Sequence, residues 1–464
     1  MRSARGTELR LLLFAIALTW CALLLVDADA LQRIDFAVVG YGSSFTGVMA
    51  VAHLAVRRWA PNADPLILPC TALLNGIGLV MIHRIDLGLA EQWAEKGKPY
   101  SPVAGQQVLW TVVGVVLFVC VLAFLRDHRT LTRYGHLAGL AGIVAIVLPA
   151  VLPASMSEVQ GAKVWIKIGS ASLQPGEFAK LLVIIFAATS LVAKRDLFRV
   201  AGRKVLGVEL PRARDLGPIV LAAFGCVAVL AFEKELGASL LFFGIVLVMI
   251  YLATERAVWV FAGLVIFAGG CVVAYFLFNH VRQRVANWMD PLATYDQPGG
   301  GYQVAQGLFG LGTGGMGGTG LGNGRPDIVP EANTDFITAG IGEELGFLGL
   351  AAVLMLYLLI ALRGMRHALA VRDSFGKLLA GGLAFTVVMQ IFVVVGGVTK
   401  LIPETGITAP FLSKGGSSLL ANYILVALLL RISDAARKPP TEPVKAMRAP
   451  LADAGTVLVQ RPQH

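Results

Sequence analysis

The sequence predicts an all-α polytopic membrane protein, and three observations carry that reading. Of the 464 residues, 56% are hydrophobic and only 15% charged, where a soluble domain has about 45–50% and about 25%. Mean hydropathy is +0.73. The roughly 260 apolar residues would overfill a soluble core of this length; at about 20 residues per crossing they supply roughly a dozen spans. The apolar residues also come in continuous runs rather than in alternation, which argues against a β-barrel. A soluble enzyme, a disordered chain and a disulfide scaffold are excluded by the same composition.

The runs lie at roughly 11–26, 36–56, 65–82, 102–125, 135–152, 178–193, 216–232, 237–253, 257–279, 336–362, 378–399 and 416–431. The first lacks a clean small-residue cleavage site and more spans follow, so it reads as a retained helix rather than a signal peptide. Cys21, Cys70, Cys120, Cys226 and Cys271 fall in or beside these runs without metal-ligand spacing. They read as small hydrophobic residues.

The formal charge is +10, from 39 basic against 29 acidic residues. In a soluble protein this would point to nucleic acid. Here it places basic loops on the cytoplasmic side, and no nucleic-acid partner is expected. Arg2, Arg5 and Arg10, then Arg57 and Arg58, Arg126, Arg129 and Arg133, the 194–215 loop, Arg256, Arg363 to Lys377 and the tail from Arg431 all fall on one side. Both termini are therefore expected inside. The tail 435–464, rich in Pro, Ala and charge, is expected to be disordered.

Three outward segments are more than connectors: 153–177, 280–335 and 400–415. Long loops on one face carry function. An outward site has no ready access to ATP, and no Walker-type motif occurs. In the longest loop, glycines between 299 and 324 are interleaved with Tyr302, Gln303, Gln306, Leu308 and Phe309, the pattern of a packed re-entrant or amphipathic segment rather than a linker. Glycine there permits close backbone approach to a bulky ligand. The loop's acids are Asp290, Asp296, Asp327, Glu331 and Asp335. Asp296, between Tyr295 and the Gly299–Gly301 turn, would have a base's working pKa if held against apolar surface; the plain alternative is a solvated carboxylate.

In the first segment, Trp165 is an interface anchor and Pro175 opens a helix. Glu177 and Lys180 are spaced to pair, either as an edge ion pair worth little or as a device orienting Lys180 toward an anion. Glu233 and Glu235 sit at a tight outward turn. Arg282 and Arg284 could clamp a phosphate or cap the preceding helix. The third segment sets Thr399, Lys400, Glu404, Thr408, Lys414, Ser417 and Ser418 along one rim, with Gly415 and Gly416 opening a helix. Its free N–H groups and the two hydroxyls suit a phosphate, though serine N-capping fits equally.

Together, "QPGEFAK", "DQPGGGYQ", "GLGNGRPDIVPEANTDFITAGIGEELGFLG" and "LIPETGITAPFLSKGGSSLL" closely resemble the signatures of the SEDS family, the RodA/FtsW/SpoVE group of bacterial proteins of shape, elongation, division and sporulation, here in a form similar to members from high-GC Gram-positive bacteria. The resemblance spans roughly 65–432. It implies a SEDS-type core of ten helices at 64–434, preceded here by two extra N-terminal helices within 1–63. It implies a peptidoglycan glycosyltransferase of the bacterial cytoplasmic membrane that polymerises lipid II at the outer face. A cognate class B penicillin-binding protein and the elongation or division machinery are the implied partners.

Residue by residue, the family's essential acid of the D-P-x-G-x-G-Y-[QN]-like motif falls on Asp296, at the usual distance from Tyr302 and Gln303. Gln297 stands where the family has Pro, and the upstream "DPLATYD" is longer than usual, so Asp290 is a second candidate. "PGEFAK" matches P-S-E-x-x-K and supplies Glu177 and Lys180. Glu235 replaces an Asp, Asn333 a His and Lys414 a Tyr. The implied reaction has Asp296 taking the acceptor 4-OH proton while undecaprenyl pyrophosphate leaves with inversion. Arg282, Arg284, Lys180 or Lys400 would steady the leaving group, with Trp165, Tyr302, Gln303, Ser417 and Ser418 in the substrate site. A divalent cation (Mg2+ or Mn2+) could assist, but no ligand cluster demands one, and no other cofactor is implied. The competing classes are a lipid II flippase and a non-enzymatic scaffold for a penicillin-binding protein. Transport would need polar residues at mid-membrane depth and often inverted repeats; the spans are poor in mid-depth charge and show no internal repeat.

Overall fold

In a computed structural model, residues 2–158, 163–169, 171–193, 203–205, 208–210 and 235–438 are described. The helices longer than one turn are α1 (Arg2–Ala30), α2 (Phe36–Trp59), α3 (Ile67–Glu95), α4 (Ala104–Phe124), α5 (Gly135–Val151), α6 (Pro175–Ala193), α7 (Leu236–Thr254), α8 (Ala257–Leu277), α9 (Asn279–Met289), α10 (Tyr302–Gly314), α11 (Ile337–Ala370), α12 (Ser374–Val398) and α13 (Gly416–Arg437). Among the described residues, strands are confined to two short antiparallel hairpins, β1 (Ile166–Ile168) with β2 (Ala171–Leu173) and β3 (Arg203–Val205) with β4 (Val208–Leu210).

Ten of these helices are long and apolar enough to cross a membrane. The chain is a multi-pass membrane protein, but the expected count of twelve is not reached among the described residues. Helix α5 has 17 residues, about 26 Å at 1.5 Å per residue, short of the ~30 Å hydrocarbon layer. Pro149 lies within it and its C-cap Leu152 is extended, as a residue before proline must be. The run at 216–232 lies outside the described residues, as do Glu233, Cys226 and the tail 439–464.

Helix α3 runs thirteen residues beyond the apolar stretch that ends at 82. Polar residues continue it because each finds a partner. His83 Nε2 lies 2.8 Å from Asp27 Oδ1 and Arg84 Nε donates to Glu344 at 2.9 Å. Asp86 accepts from Tyr100 at 2.7 Å, and Gln92 donates to Asp327 at 2.6 Å.

Residues predicted on one side of the membrane gather at one end of the bundle. Asp64 accepts from Arg363 Nε and pairs with His367, both at 2.7 Å. Its neighbour Asn62 donates its backbone N–H to Asp434 at 2.7 Å, and Arg5 reaches the Ala63 carbonyl. Burial alone would raise the Asp64 carboxyl, but the hydrogen bonds from His367 and Arg363 outweigh it and hold the group well below the usual range. At this end the N-terminal pair is tied to the core.

Helix α11 is broken at Gly346, whose φ of 68° and ψ of −172° are non-helical and open only to glycine at low cost. The break frees backbone groups that a loop then satisfies. Phe347 N–H donates to Gly315 at 2.9 Å, and the N–H groups of Thr319 and Gly320 donate to the Glu343 and Glu344 carbonyls at 3.0 Å each. The glycine-rich stretch 315–325 is thereby docked, and the interleaved residues Tyr302 to Phe309 that predicted a packed segment form α10 just before it.

Candidate active site

A cavity of about 730 Å3 opens at the opposite end of the bundle, within the range usual for ligand sites. All three segments singled out in the sequence line it. Trp165 and Gln174 come from the first, Arg284, Gln303, Glu331 and Asp335 from the second, and Glu404, Thr408 and Lys414 from the third. Apolar side chains on three helices, α4, α5 and α7, Trp110, Ile146, Leu241 and Phe242 among them, complete the walls. The site therefore has both a charged and an apolar surface.

Pro175 opens α6 and delivers Glu177 and Lys180 to this cavity. The pair forms as spaced, at 2.6 Å, but not at a solvent edge. The Lys180 side chain is 1% exposed and that of Glu177 11%. Lys180 Nζ also donates to Gln390 Oε1 at 2.9 Å, and Gln390 in turn donates to the Thr408 carbonyl at 2.9 Å. The edge-pair alternative is thereby corrected: Gln390 of α12 closes over Lys180 and shields it from solvent, while Glu177 faces the cavity.

Three half-buried carboxylic acids converge on the same space. Burial pushes Glu235 up to about 7, with Arg284 opposing and Glu177 adding to the rise. Burial likewise pushes Asp335 up to about 7, reinforced by Glu404 and Glu331 against hydrogen bonds from its own N–H and from Thr334. Glu404 is raised by burial, again against Arg284. Arg284 is the counter-charge shared by Glu235 and Glu404 and is anchored by a 3.1 Å bond from Nη1 to the Glu404 carbonyl. Near neutral pH Glu235 and Asp335 hold protons part of the time, so the cavity tolerates an anion that fully ionised acids would repel.

The N-terminus of α13 forms another wall. Lys414, Gly415, Gly416, Ser417 and Ser418 all line the cavity. No serine side chain caps the helix, so the capping alternative is not realised. Ser417 Oγ instead accepts the Gln174 N–H at 2.8 Å, tying the first segment to the third. A Cβ on Gly416 would lie 2.5 Å from the Trp110 indole, which explains glycine at that position.

The remaining nominated residues stand apart. Asp296 is exposed and absent from the cavity lining, so of the two environments its position left open it has the solvated one and not the apolar one. Among the described residues its carboxylate has no hydrogen-bond partner. Its turn is fixed to α10: Gln306 donates to the Tyr295 hydroxyl at 2.7 Å, and Tyr295 meets Tyr302 edge-on at 5.0 Å. Asp290 is used structurally, its Oδ1 accepting the N–H groups of Leu292 and Ala293 at 3.1 and 3.0 Å. Arg282 is exposed and bonded to Asn279. Lys400 lies outside the lining and accepts the Trp288 indole N–H on its carbonyl at 3.0 Å. Tyr302 is 37% exposed and outside the lining, whereas Gln303 beside it does line the cavity and reaches Asp335 at 3.5 Å.

Gln390, Trp110 and Gln107 line the cavity from within apolar spans and were not singled out in the sequence. The available signal was a lone glutamine in an otherwise apolar run. Asp335 and Glu404 were noticed only as loop acids, because spacing says nothing about which carboxylates the fold encloses.

The FTSW_RODA_SPOVE family model, described as a cell cycle protein, matches residues 65–438. The chain is 55% identical over 458 residues to a Mycobacterium tuberculosis protein named peptidoglycan glycosyltransferase RodA, covering 98% of this chain and 96% of that one. The match therefore takes in α1 and α2 as well. Its fold is shared with the crystal structure of the Thermus thermophilus rod shape determining protein RodA (TM-score 0.53, 23% identity, 80% of this chain and 96% of that one). It is shared too with a chain from a peptidoglycan synthase complex solved for the coordination of polymerization and crosslinking (TM-score 0.56, 23% identity, 86% and 97%). With the family model spanning most of the chain and a relative this similar along nearly all of it, the protein belongs to the FtsW/RodA/SpoVE family.

Proposed function

We propose that this protein is a peptidoglycan glycosyltransferase that polymerises lipid II, an undecaprenyl-pyrophosphate-linked disaccharide-peptide, at the outer face of a bacterial cytoplasmic membrane. The observation that carries the reading is the convergence in one cavity of apolar span residues, Arg284, Lys414 and a helix N-terminus, in a chain 55% identical to a protein of that name. The apolar walls suit the lipid. The two cations and the N–H groups of α13 suit the pyrophosphate. Arg284 is favoured over Arg282 and Lys400 as the cation on the leaving group, because the latter two lie outside the lining. Lys180, engaged by Glu177 and Gln390, acts by holding the wall in place.

Asp296 is the base that the family motif nominates. Its free carboxylate, on a turn braced against α10, takes the proton of the acceptor 4-OH. That oxygen attacks the donor's anomeric carbon, the bond from that carbon to the pyrophosphate oxygen breaks, and undecaprenyl pyrophosphate departs with inversion. Among the described residues no group of three or more His, Cys, Asp or Glu side chains forms a metal site; a divalent cation would enter on the substrate's phosphates. Chemistry in which strands are then crosslinked by a class B penicillin-binding protein fits the likeness to a chain of a peptidoglycan synthase complex.

The test is purified full-length protein, with and without its crosslinking partner, incubated with labelled lipid II. Loss of a general base costs about 10²–10⁴ in rate, so Asp296→Asn should fold and yield almost no polymer while Asp290→Asn, whose amide still accepts the turn's N–H groups, stays active. The reverse outcome would transfer the role to Asp290. Scrambling of lipid II across vesicles without polymer would make the protein a transporter.

A further inference from the structure

Helices α1 and α2 precede the stretch matched by the family model at 65–438, and at the outward end they do more than fill the bilayer. The Asp27 carboxylate, near the end of α1, is fully buried. One oxygen meets His83 Nε2 of α3 at 2.8 Å and the other accepts the Asp35 N–H at 2.9 Å. The next residue of α3, Arg84, is also buried. It donates to Glu344 Oε1 at 2.9 Å and to the Gly324 carbonyl at 2.5 Å. Glu344 accepts the Gly322 N–H at 3.3 Å and Glu343 the Arg325 N–H at 2.7 Å. Leu321 of the same loop packs on the patch formed by Leu23, Val26, Val38 and Val80. A Cβ on Gly322 would come within 2.7 Å of Asp29 Oδ2, so the loop backbone lies directly on α1. A few residues further on, the chain supplies Glu331 and Asp335 to the cavity. There Lys414 N–H donates to the Asn333 carbonyl at 2.7 Å.

We propose that Asp27 is a positioning residue for strand polymerisation: the N-terminal helix pair holds the 315–335 loop, through His83, Arg84 and Leu321, in the arrangement that places Glu331 and Asp335 in the cavity. This rests on the polymerase reading above. The added helices are then a brace on the active-site loop. Loosening the brace lowers turnover, because displacing a catalytic wall by about 1 Å can cost about 10²-fold. It leaves substrate affinity nearly intact, because the groups that meet the pyrophosphate, Arg284 on α9 and the N–H donors opening α13, lie outside the 315–335 loop.

The test uses the full-length protein in nanodiscs with labelled lipid II, measuring kcat, KM and amide hydrogen exchange of the 319–325 stretch. Asp27→Ala should lower kcat by about ten- to a hundredfold with KM within about twofold. The amides of Thr319, Gly320, Gly322 and Arg325 should exchange at least about tenfold faster. Asp27→Asn, which still accepts from the Asp35 N–H, should recover most of the rate. Arg33→Ala, exposed on the α1–α2 turn, should match wild type. Should Asp27→Ala fail to fold, Leu321→Ala loosens the same contact without orphaning a buried group and should give the same kcat loss and faster exchange. Unchanged kcat, a kcat loss without faster exchange, or Asp27→Asn as impaired as Asp27→Ala would overturn the proposal. Wild-type protein that forms no polymer would instead strike the polymerase reading, and the exchange data would still decide whether α1 holds the loop.

Discussion

Replacing Lys180 by alanine separates an edge ion pair from a buried one. An exposed pair contributes about 0–1 kcal/mol, and on that footing Lys180→Ala would express normally and only lose activity. The structure changes the expectation. With the lysine 1% and the glutamate 11% exposed, 2.6 Å apart, removal of Lys180 leaves the Glu177 carboxylate without its cation. It also leaves Gln390 Oε1 without the donor it meets at 2.9 Å. Breaking a buried pair costs about 3–5 kcal/mol. Glu177 faces the cavity and keeps some access to water, which places the cost near the lower end, about 3 kcal/mol. Replacing both charges by neutral groups of similar volume is often nearly neutral, so Glu177→Gln with Lys180→Met should lie within about 1 kcal/mol of wild type. The assay is reversible unfolding in mixed detergent, read by tryptophan fluorescence, for wild type, both singles and the double with Lys180→Met throughout, and for Lys180→Ala beside them. A coupling energy of about 2 kcal/mol or more is expected from the cycle. Lys180→Ala within about 1 kcal/mol of wild type, or a coupling below about 0.5 kcal/mol, would refute the reasoning. The polymerisation rate of the double variant then reports the role of the charge free of the stability loss.

The raised acids predict a pH dependence with a definite sign. Asp335 and Glu235, pushed up to about 7, are mostly protonated below that pH and ionise above it, so KM for the anionic substrate should rise as pH passes through 7. Asp335→Asn should flatten the rise, and a wild-type KM constant from about pH 6 to about 9 would remove the acids from substrate binding. Sidedness is testable by cysteine labelling. Gly300 is a poor site, since an added Cβ would lie 1.9 Å from the Thr294 carbonyl; Gln297 on the same turn is exposed. Gln297→Cys should react with an impermeant maleimide in intact cells and Arg58→Cys only after lysis; the opposite pattern would invert the topology.

Most of the architecture is legible along the chain because a bilayer imposes a one-dimensional rule. A helix that crosses hydrocarbon must be apolar for about 20 residues, and ten such helices form where the runs place them. Residues of the basic loops gather at one end of the bundle, and the three unusual segments were visible as departures from short connectors. All three meet in the cavity. The motifs that carried the family resemblance were local strings, and a local string needs no fold to be read.

Enclosure was not legible, because burial is a property of neighbours distant in sequence. Nothing within "PGEFAK" announces that Gln390, 210 residues away, reaches Lys180 or that α12 shuts solvent out. Asp296 and Asp335 look alike as loop acids, yet packing leaves one exposed and pushes the other up to about 7. Arg282 and Arg284 are two residues apart on α9, and only Arg284 lines the cavity. The role of the N-terminal helices was equally hidden, since Asp27 meets His83 across 56 residues and Arg84 meets Glu344 across 260. The sequence by itself determined what must lie in lipid and which segments depart from short connectors, because both follow from composition along the chain. Which charges are paired, which acids keep their protons and which helix braces the site were decided by tertiary packing, because desolvation and hydrogen bonding depend on what the fold brings within a few ångströms.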